Sequence, residues 1–411
     1  MRFQLILAGF IQVLALVLAN AQGVLGVRTD EAKYLLDIPY PHPPLARGIF
    51  HFFEWLPFQE GFIRIVLATL LLQAVWLLWD ACRDLHPAER FAVAITWLFS
   101  AALIIQAGTL MMAPLTALGA LIFVWAERRI TLVDESRWMM IARLLPWKKH
   151  TIEHKSAILS FGLALVWITS LFSAFHIVLF LPLVWRAFAH LRRPLSERLL
   201  YIVGPLVVVA LYTLGHPLIL ASFTIQATKD ASFTLLSRFT GVVWLWILAG
   251  SAVGTLVGVA GIVRWGSWAL RASAVLVFVA LLGAQMEYYA ILPLPLLVGG
   301  LMALFSSGVR IEKFPYTVIY VACSVILIAL TAPWFSINPA AAVSQEIQKH
   351  SSGTILIVGS FGHQWQYQNR QTVHRYSERL LPNADAVVCL APCQQMGFPG
   401  FRKLSDLPKE F

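Results

Sequence analysis

Residues 4–24, QLILAGFIQVLALVLANAQGV, form an almost wholly apolar run, and residues 28–48, RTDEAKYLLDIPYPHPPLARG, follow three residues later. A helix needs about 20 apolar residues to cross a hydrocarbon core roughly 30 Å thick, and the first stretch meets that length. The second sets an acidic pair, a histidine and several prolines beside lipid. The rest of the chain repeats the apolar theme: of 411 residues, 59% are hydrophobic and 13% charged, against roughly 25% charged in soluble domains. The fold class this predicts is an all-α polytopic membrane protein.

Measured the same way, the chain holds about eleven spans. Single spans are expected at Gln4 to Val24, Phe62 to Trp79, Leu199 to Ile219, Gly241 to Val263, Ser267 to Ala284, Tyr288 to Phe305 and Tyr316 to Thr331. Two runs are too long for one helix at about 1.5 Å per residue. Phe91 to Ala126 is expected to fold back near Gly108, and Ser156 to Ala189 near Ser173 to His176.

A net charge of +10 raises nucleic-acid binding, but that function needs basic residues gathered on one solvated face. Here they are spread over short loops, which excludes it. Lysine and arginine accumulate in cytoplasmic loops. With the N-terminus inside, eighteen of them lie on inner segments, among them Arg83, Arg128, Arg129 and Arg310. Only six lie outside before the tail: Arg28, Lys33, Arg47, Arg64, Lys229 and Arg238. The expected N-terminus is therefore cytoplasmic, the loop 27–61 faces outward, and a bacterial inner (plasma) membrane is the expected location. Arg2, the first apolar run and Ala19–Ala21 also fit a cleavable signal peptide. Either outcome leaves that loop outside.

Two domains are expected: 1–333 in the membrane, and 334–411 as a small extracytoplasmic α/β unit. In the latter, GTILIVGS and ADAVVCLA read as short buried strands. Its Cys389 and Cys393 suit either a disulfide in an oxidising compartment or, less well, part of a zinc site.

The candidate chemistry sits in the outer loop. At the membrane surface Asp30 and Glu31 lose part of their hydration, which with a like-charged neighbour favours proton acceptance. The alternative is a hydrated acidic pair at the start of a helix beginning near Ala32. Pro41, Pro43 and Pro44 stiffen the backbone and direct His42 and Arg47; the same prolines also suit a loop lying flat on the membrane. His51 to Phe62 mixes aromatic and acidic residues as an interfacial amphipathic helix would.

With DEAKYLL at Asp30–Leu36 and PHPPLARG at Pro41–Gly48, the chain resembles the GT-C fold glycosyltransferases that use polyprenyl-phosphate sugars. Protein O-mannosyltransferases and lipid A aminoarabinose transferases are the most similar in pattern. The segment Glu287 to Leu304, with Tyr288 and its prolines, is a second point of similarity. The resemblance implies inverting transfer of a sugar from the lipid carrier to a protein, lipid or glycan acceptor at the outer face. It implies Asp30 as the base or orienting group and Glu31 as its assistant, with Tyr34, His42, Arg47, Lys229, Arg238, His216 and Tyr288 as substrate-binding candidates. Charge developing on the leaving phosphate calls for such cations and hydrogen-bond donors. His176, at its turn, also lies near that face. Some such enzymes use a divalent ion and others none, so Asp30, Glu31 and Asp37 leave the metal question open. A transporter or flippase of a lipid-linked substrate is the alternative, and a non-catalytic assembly protein the third. Transporters place paired charges near the midplane on broken helices, whereas the acids here cluster in a loop.

Overall fold

The computed structural model describes residues 2–25, 27, 29–38, 44–131, 152–191, 194–219, 234–283, 287–310, 315–335, 347–348, 353–358, 362–377, 379–389 and 401–403. Among the described residues, fifteen α-helices precede a small sheet. They are α1 (Arg2–Leu25), α2 (Thr29–Leu35), α3 (Pro44–Phe52), α4 (Gln59–Gln73), α5 (Val75–Ala81), α6 (Pro87–Leu98), α7 (Ala101–Gln106) and α8 (Met112–Thr131), then α9 (Ile152–Ser173), α10 (Leu181–His190), α11 (Leu195–Leu214), α12 (Leu235–Trp265), α13 (Trp268–Gly283), α14 (Leu294–Ser306) and α15 (Tyr316–Phe335). Short 3₁₀ turns at Phe175–Phe180 and Glu287–Ile291 lead into α10 and α14.

Among the described residues, five helical stretches are long and apolar enough to cross a membrane: Leu5–Gly23, Gln59–Ala81, Leu195–Leu214, Leu235–Trp265 and Tyr288–Ser306. Shorter apolar helices lie at Ile158–Ser173, Phe175–His190, Trp268–Gly283 and Tyr316–Thr331. The architecture is that of a helical membrane protein. The run Phe91 to Ala126 is divided among α6, α7 and α8, and its chain reverses where Gly108 has φ +84°. The far end of α8 returns to α5, since the Arg128 guanidinium donates to the Ala81 carbonyl at 2.7 Å.

Helix contacts use small residues and indole donors. Where α12 crosses α14, a Cβ on Gly261 would collide with the Gly300 carbonyl, so the two backbones touch as small-residue membrane interfaces allow. Gly261→Val is expected to cost about 1–3 kcal/mol by overpacking, read as a lowered melting temperature in detergent. The Trp97 indole donates to the Leu71 carbonyl at 2.8 Å, and the Trp167 indole to the Ile202 carbonyl at 3.1 Å. α12 is broken at Ser251, with φ +51° and ψ 177°. Ser100 Oγ donates to the Ala249 carbonyl and Thr255 Oγ1 to the Trp246 carbonyl, both at 2.7 Å. Those hydroxyls supply donors that the interrupted helix no longer provides.

The described C-terminal residues include a four-stranded parallel sheet of β1 (Ile355–Val358), β2 (Val373–Arg375), β3 (Ala386–Cys389) and β4 (Phe401–Lys403), in the order β2-β1-β3-β4. Helix α16 (Gly362–Asn369) crosses from β1 to β2 and buries Trp365 against Ile355, Ile357, Val373 and Val388. Cys393 lies outside the described residues, so the thiol pairing expected there has no structural account.

Candidate active site

Helix α2 carries Asp30 and Glu31 in its first turn and Lys33 in its last, the arrangement that the helix dipole favours. Its period of 3.6 residues sends the neighbouring acids apart. Asp30 is partly exposed and pairs with Lys33 Nζ at 2.7 Å, one turn along the same side. Glu31, Ala32 and Tyr34 are buried.

Glu31 is held by two elements distant in sequence. Its Oε1 accepts from Arg64 Nη1 at 3.0 Å and from the Leu110 N–H at 2.7 Å. Arg64 is 1% exposed and also donates to Glu60 Oε1 at 2.9 Å and to the Gly108 carbonyl at 3.0 Å. A guanidinium offers five donors in a fixed fork, which suits a junction of several acceptors. Glu31 and Arg64 thus fasten α2 to α4 and to the turn before α8. The left-handed Gly108 aims its carbonyl at Arg64 and packs on α1, where a Cβ would stand 3.0 Å from Ala19 Cα.

This differs from the sequence reading in two respects. Arg64 belongs to a buried helical junction, although the charge count placed it with the outer loops. Glu31 anchors the fold, whereas it was expected to assist Asp30. The signal for Arg64 was present, because an arginine inside an apolar helix calls for a buried partner, and Glu60 precedes it by one turn.

The remaining candidates divide. Tyr34 packs on Phe50 with ring centroids 5.6 Å apart, in an apolar cluster with Leu110, Met111 and Ala174 against which Tyr288 is also packed. Asp30, Tyr34 and Tyr289 all lie within electrostatic range of the Tyr288 hydroxyl. His176 packs on Tyr289 with ring centroids 4.5 Å apart and the rings tilted by 51°. Asp30, Tyr34 and Tyr288 are therefore brought together. Arg47 is engaged locally instead, with Nε 2.8 Å from Asp37 and Nη1 3.5 Å from the Ile38 carbonyl. His216 accepts from the Leu218 N–H at 3.2 Å beyond the end of α11, and Arg238 donates to the Leu282 carbonyl at 3.4 Å. His42 and Lys229 lie outside the described residues.

The turn expected over Pro41 to Gly48 is in part a helix. Pro44 takes the first position of α3, where a missing N–H costs nothing, and α3 ends at Phe52. The amphipathic helix expected over His51 to Phe62 is instead the end of α3, a turn, and the start of α4. Phe52, Trp55 and Phe58 remain exposed there. Between α3 and α4 runs an apolar groove lined by Ala46, Ile49, Phe53, Phe62, Val66 and Leu115, among others.

Beyond the loop, α16 packs on α2. Burial first, then the Lys33 ammonium, holds His363 below the usual histidine range, while Asp30 acts in the opposite sense. Burial and then the Glu60 carboxylate push the Tyr367 hydroxyl above its usual range. Sequence reasoning missed both residues, since no spacing links positions 30 and 363.

Among the described residues, no group of three His, Cys, Asp or Glu converges as a metal site would. Glu31 is turned to Arg64, so the acidic pair does not present both carboxylates to one ion. No protein-family profile matches the chain, and no curated protein or solved structure was found to be similar to it.

Proposed function

We propose that the protein is an integral-membrane glycosyltransferase that moves a sugar from a polyprenyl-phosphate carrier to an acceptor at the extracytoplasmic face, with inversion. The observation that supports this best is the contrast between the two acids. Glu31 fixes α2 in place, and Asp30, one residue earlier, is left partly exposed, paired with Lys33 and within electrostatic range of the Tyr288 hydroxyl. A carboxylate on a rigid support is what proton removal or orientation of an acceptor hydroxyl requires.

The distribution of charge supports the orientation. Gln59–Ala81 has Glu60 and Arg64 near its start, and Asp80 at its end pairs with Arg129 at 3.1 Å. At about 1.5 Å per residue the two sites are some 25 Å apart. Arg128, paired with Asp84 at 2.6 Å, joins the second group. An arginine-rich end fits the cytoplasm, which supports reading Asp30 as extracytoplasmic; the bacterial inner membrane is the location this reading assigns. The apolar groove between α3 and α4 suits the carrier's hydrocarbon chain. About eleven spans and an extracytoplasmic C-terminal unit complete this reading, with Tyr34 and Tyr288 beside the substrate.

Transport of a lipid-linked substrate is a second reading, favoured by the break of α12 at Ser251, since broken helices line transport sites. One experiment separates the two. Deleting the gene and analysing envelope components by mass should remove one sugar from one acceptor and leave its polyprenyl-phosphate donor accumulated on the outer leaflet. Donor accumulated on the inner leaflet would favour transport, and an unchanged envelope would contradict both.

A further inference from the structure

We infer that the C-terminal helix α16 is part of the Asp30 site: it seats on α2 and holds His363 as a positioning residue for the Asp30–Lys33 pair. This rests on the reading of Asp30 as the acceptor-side carboxylate. It makes the tail a component of the reaction centre instead of a separate partner-binding module.

The helix has two working faces. Trp365 is fully buried against the sheet. His363 and Tyr367, four residues apart, share another face, about 200° round from Trp365 at 3.6 residues per turn. Each lies within electrostatic range of a different half of the first-loop site. His363 feels Lys33 and Asp30 of α2, and Tyr367 feels Glu60 and Arg64 of α4. One helix face thus spans both ion pairs, with Arg370 stacked 4.8 Å from the Tyr367 ring centre at its end.

Among the described residues α16 packs chiefly against α2 and β2. They carry Asp30, Lys33 and His374, all within electrostatic range of the imidazole. Burial, Lys33 and His374, in that order, favour the neutral ring, and Asp30 opposes them. At neutral pH His363 is therefore uncharged, offering one donor and one acceptor beside a carboxylate held by an ammonium. When protonated, it repels Lys33 and competes with it for Asp30. His363 acts on the reaction through that pair.

The test is an NMR pH titration of His363 in the full-length protein, labelled with ¹³C-histidine, held in lipid nanodiscs and assigned by His363→Gln. Asp30→Asn removes a group that favours the charged ring, so the midpoint should fall. Lys33→Met removes a group that opposes it, so the midpoint should rise. Each shift should be about half a pH unit, less than the roughly 1–3 units that a charge in direct contact produces. Loosened packing alone would move both midpoints the same way. Midpoints unmoved in both variants overturn the inference, and if Asp30→Asn does not fold, an unmoved midpoint in Lys33→Met does so alone. The readout needs no sugar donor. Opposite shifts in a protein that transfers no sugar would leave the coupling standing and sink the transferase reading, whereas transfer with unmoved midpoints would do the reverse.

Discussion

Arg64→Ala is expected to destabilise the protein by about 3–5 kcal/mol, because it removes one partner of a buried ion pair with the Glu31 carboxylate. Both side chains are 1% exposed, so water cannot replace the lost partner. The same change releases the Gly108 carbonyl and Glu60, and with them the junction of α2, α4 and the turn before α8. Arg64→Lys should recover only part of the loss, since one ammonium cannot reach three separated acceptors in the guanidinium's geometry. The double substitution Glu31→Gln with Arg64→Met should be milder than Arg64→Ala, because it removes both buried charges together. Thermal unfolding in detergent reads all three. A melting temperature for Arg64→Ala equal to that of the unaltered protein would contradict the buried junction.

Asp30→Asn is expected to lower sugar transfer by roughly 10²- to 10⁴-fold, the usual contribution of a positioned general base. Stability should change little. Asp30 is partly exposed, and its pair with Lys33 is a one-turn helical pair worth about 0.2–0.5 kcal/mol. Glu31→Gln should behave differently, lowering stability and activity together, because Glu31 holds α2 in place. An acceptor that is already anionic needs no base. In that case the loss on Asp30→Asn appears in the acceptor KM with kcat nearly kept, as expected for a residue that only positions.

Much of the membrane architecture was legible because lipid imposes a simple rule: apolar runs of set length must be helical. Gly108 marked its turn for the same reason, as a glycine near the middle of a run too long for one helix. The candidate site was legible in part. Asp30 and Glu31 were recognisable as an acidic pair, yet their separate roles depend on which one faces Arg64 and the Leu110 N–H. That is a matter of helix rotation and of partners 33 and 79 positions away. Arg47 looked like a phosphate ligand because it follows a proline run, but Asp37 lies close enough to engage it first. Pro44 suggested an extended turn, and it starts a helix because proline is equally suited to a helix's first position. His363 and Tyr367 reach the site only through the packing of α16 on α2, which no local pattern encodes.

The account depends most on the division of labour between Asp30 and Glu31. The most direct test purifies the unaltered protein, Asp30→Asn and Glu31→Gln, and reconstitutes equal folded amounts in liposomes. These would contain polyprenyl-phosphate sugars from the envelope and the acceptor identified by mass analysis, and initial transfer rates would be compared. The account predicts that Asp30→Asn melts like the unaltered protein and transfers at most about one hundredth as fast, while Glu31→Gln loses melting temperature as well as rate. Transfer by Asp30→Asn at the unaltered rate and with the unaltered acceptor KM would contradict it.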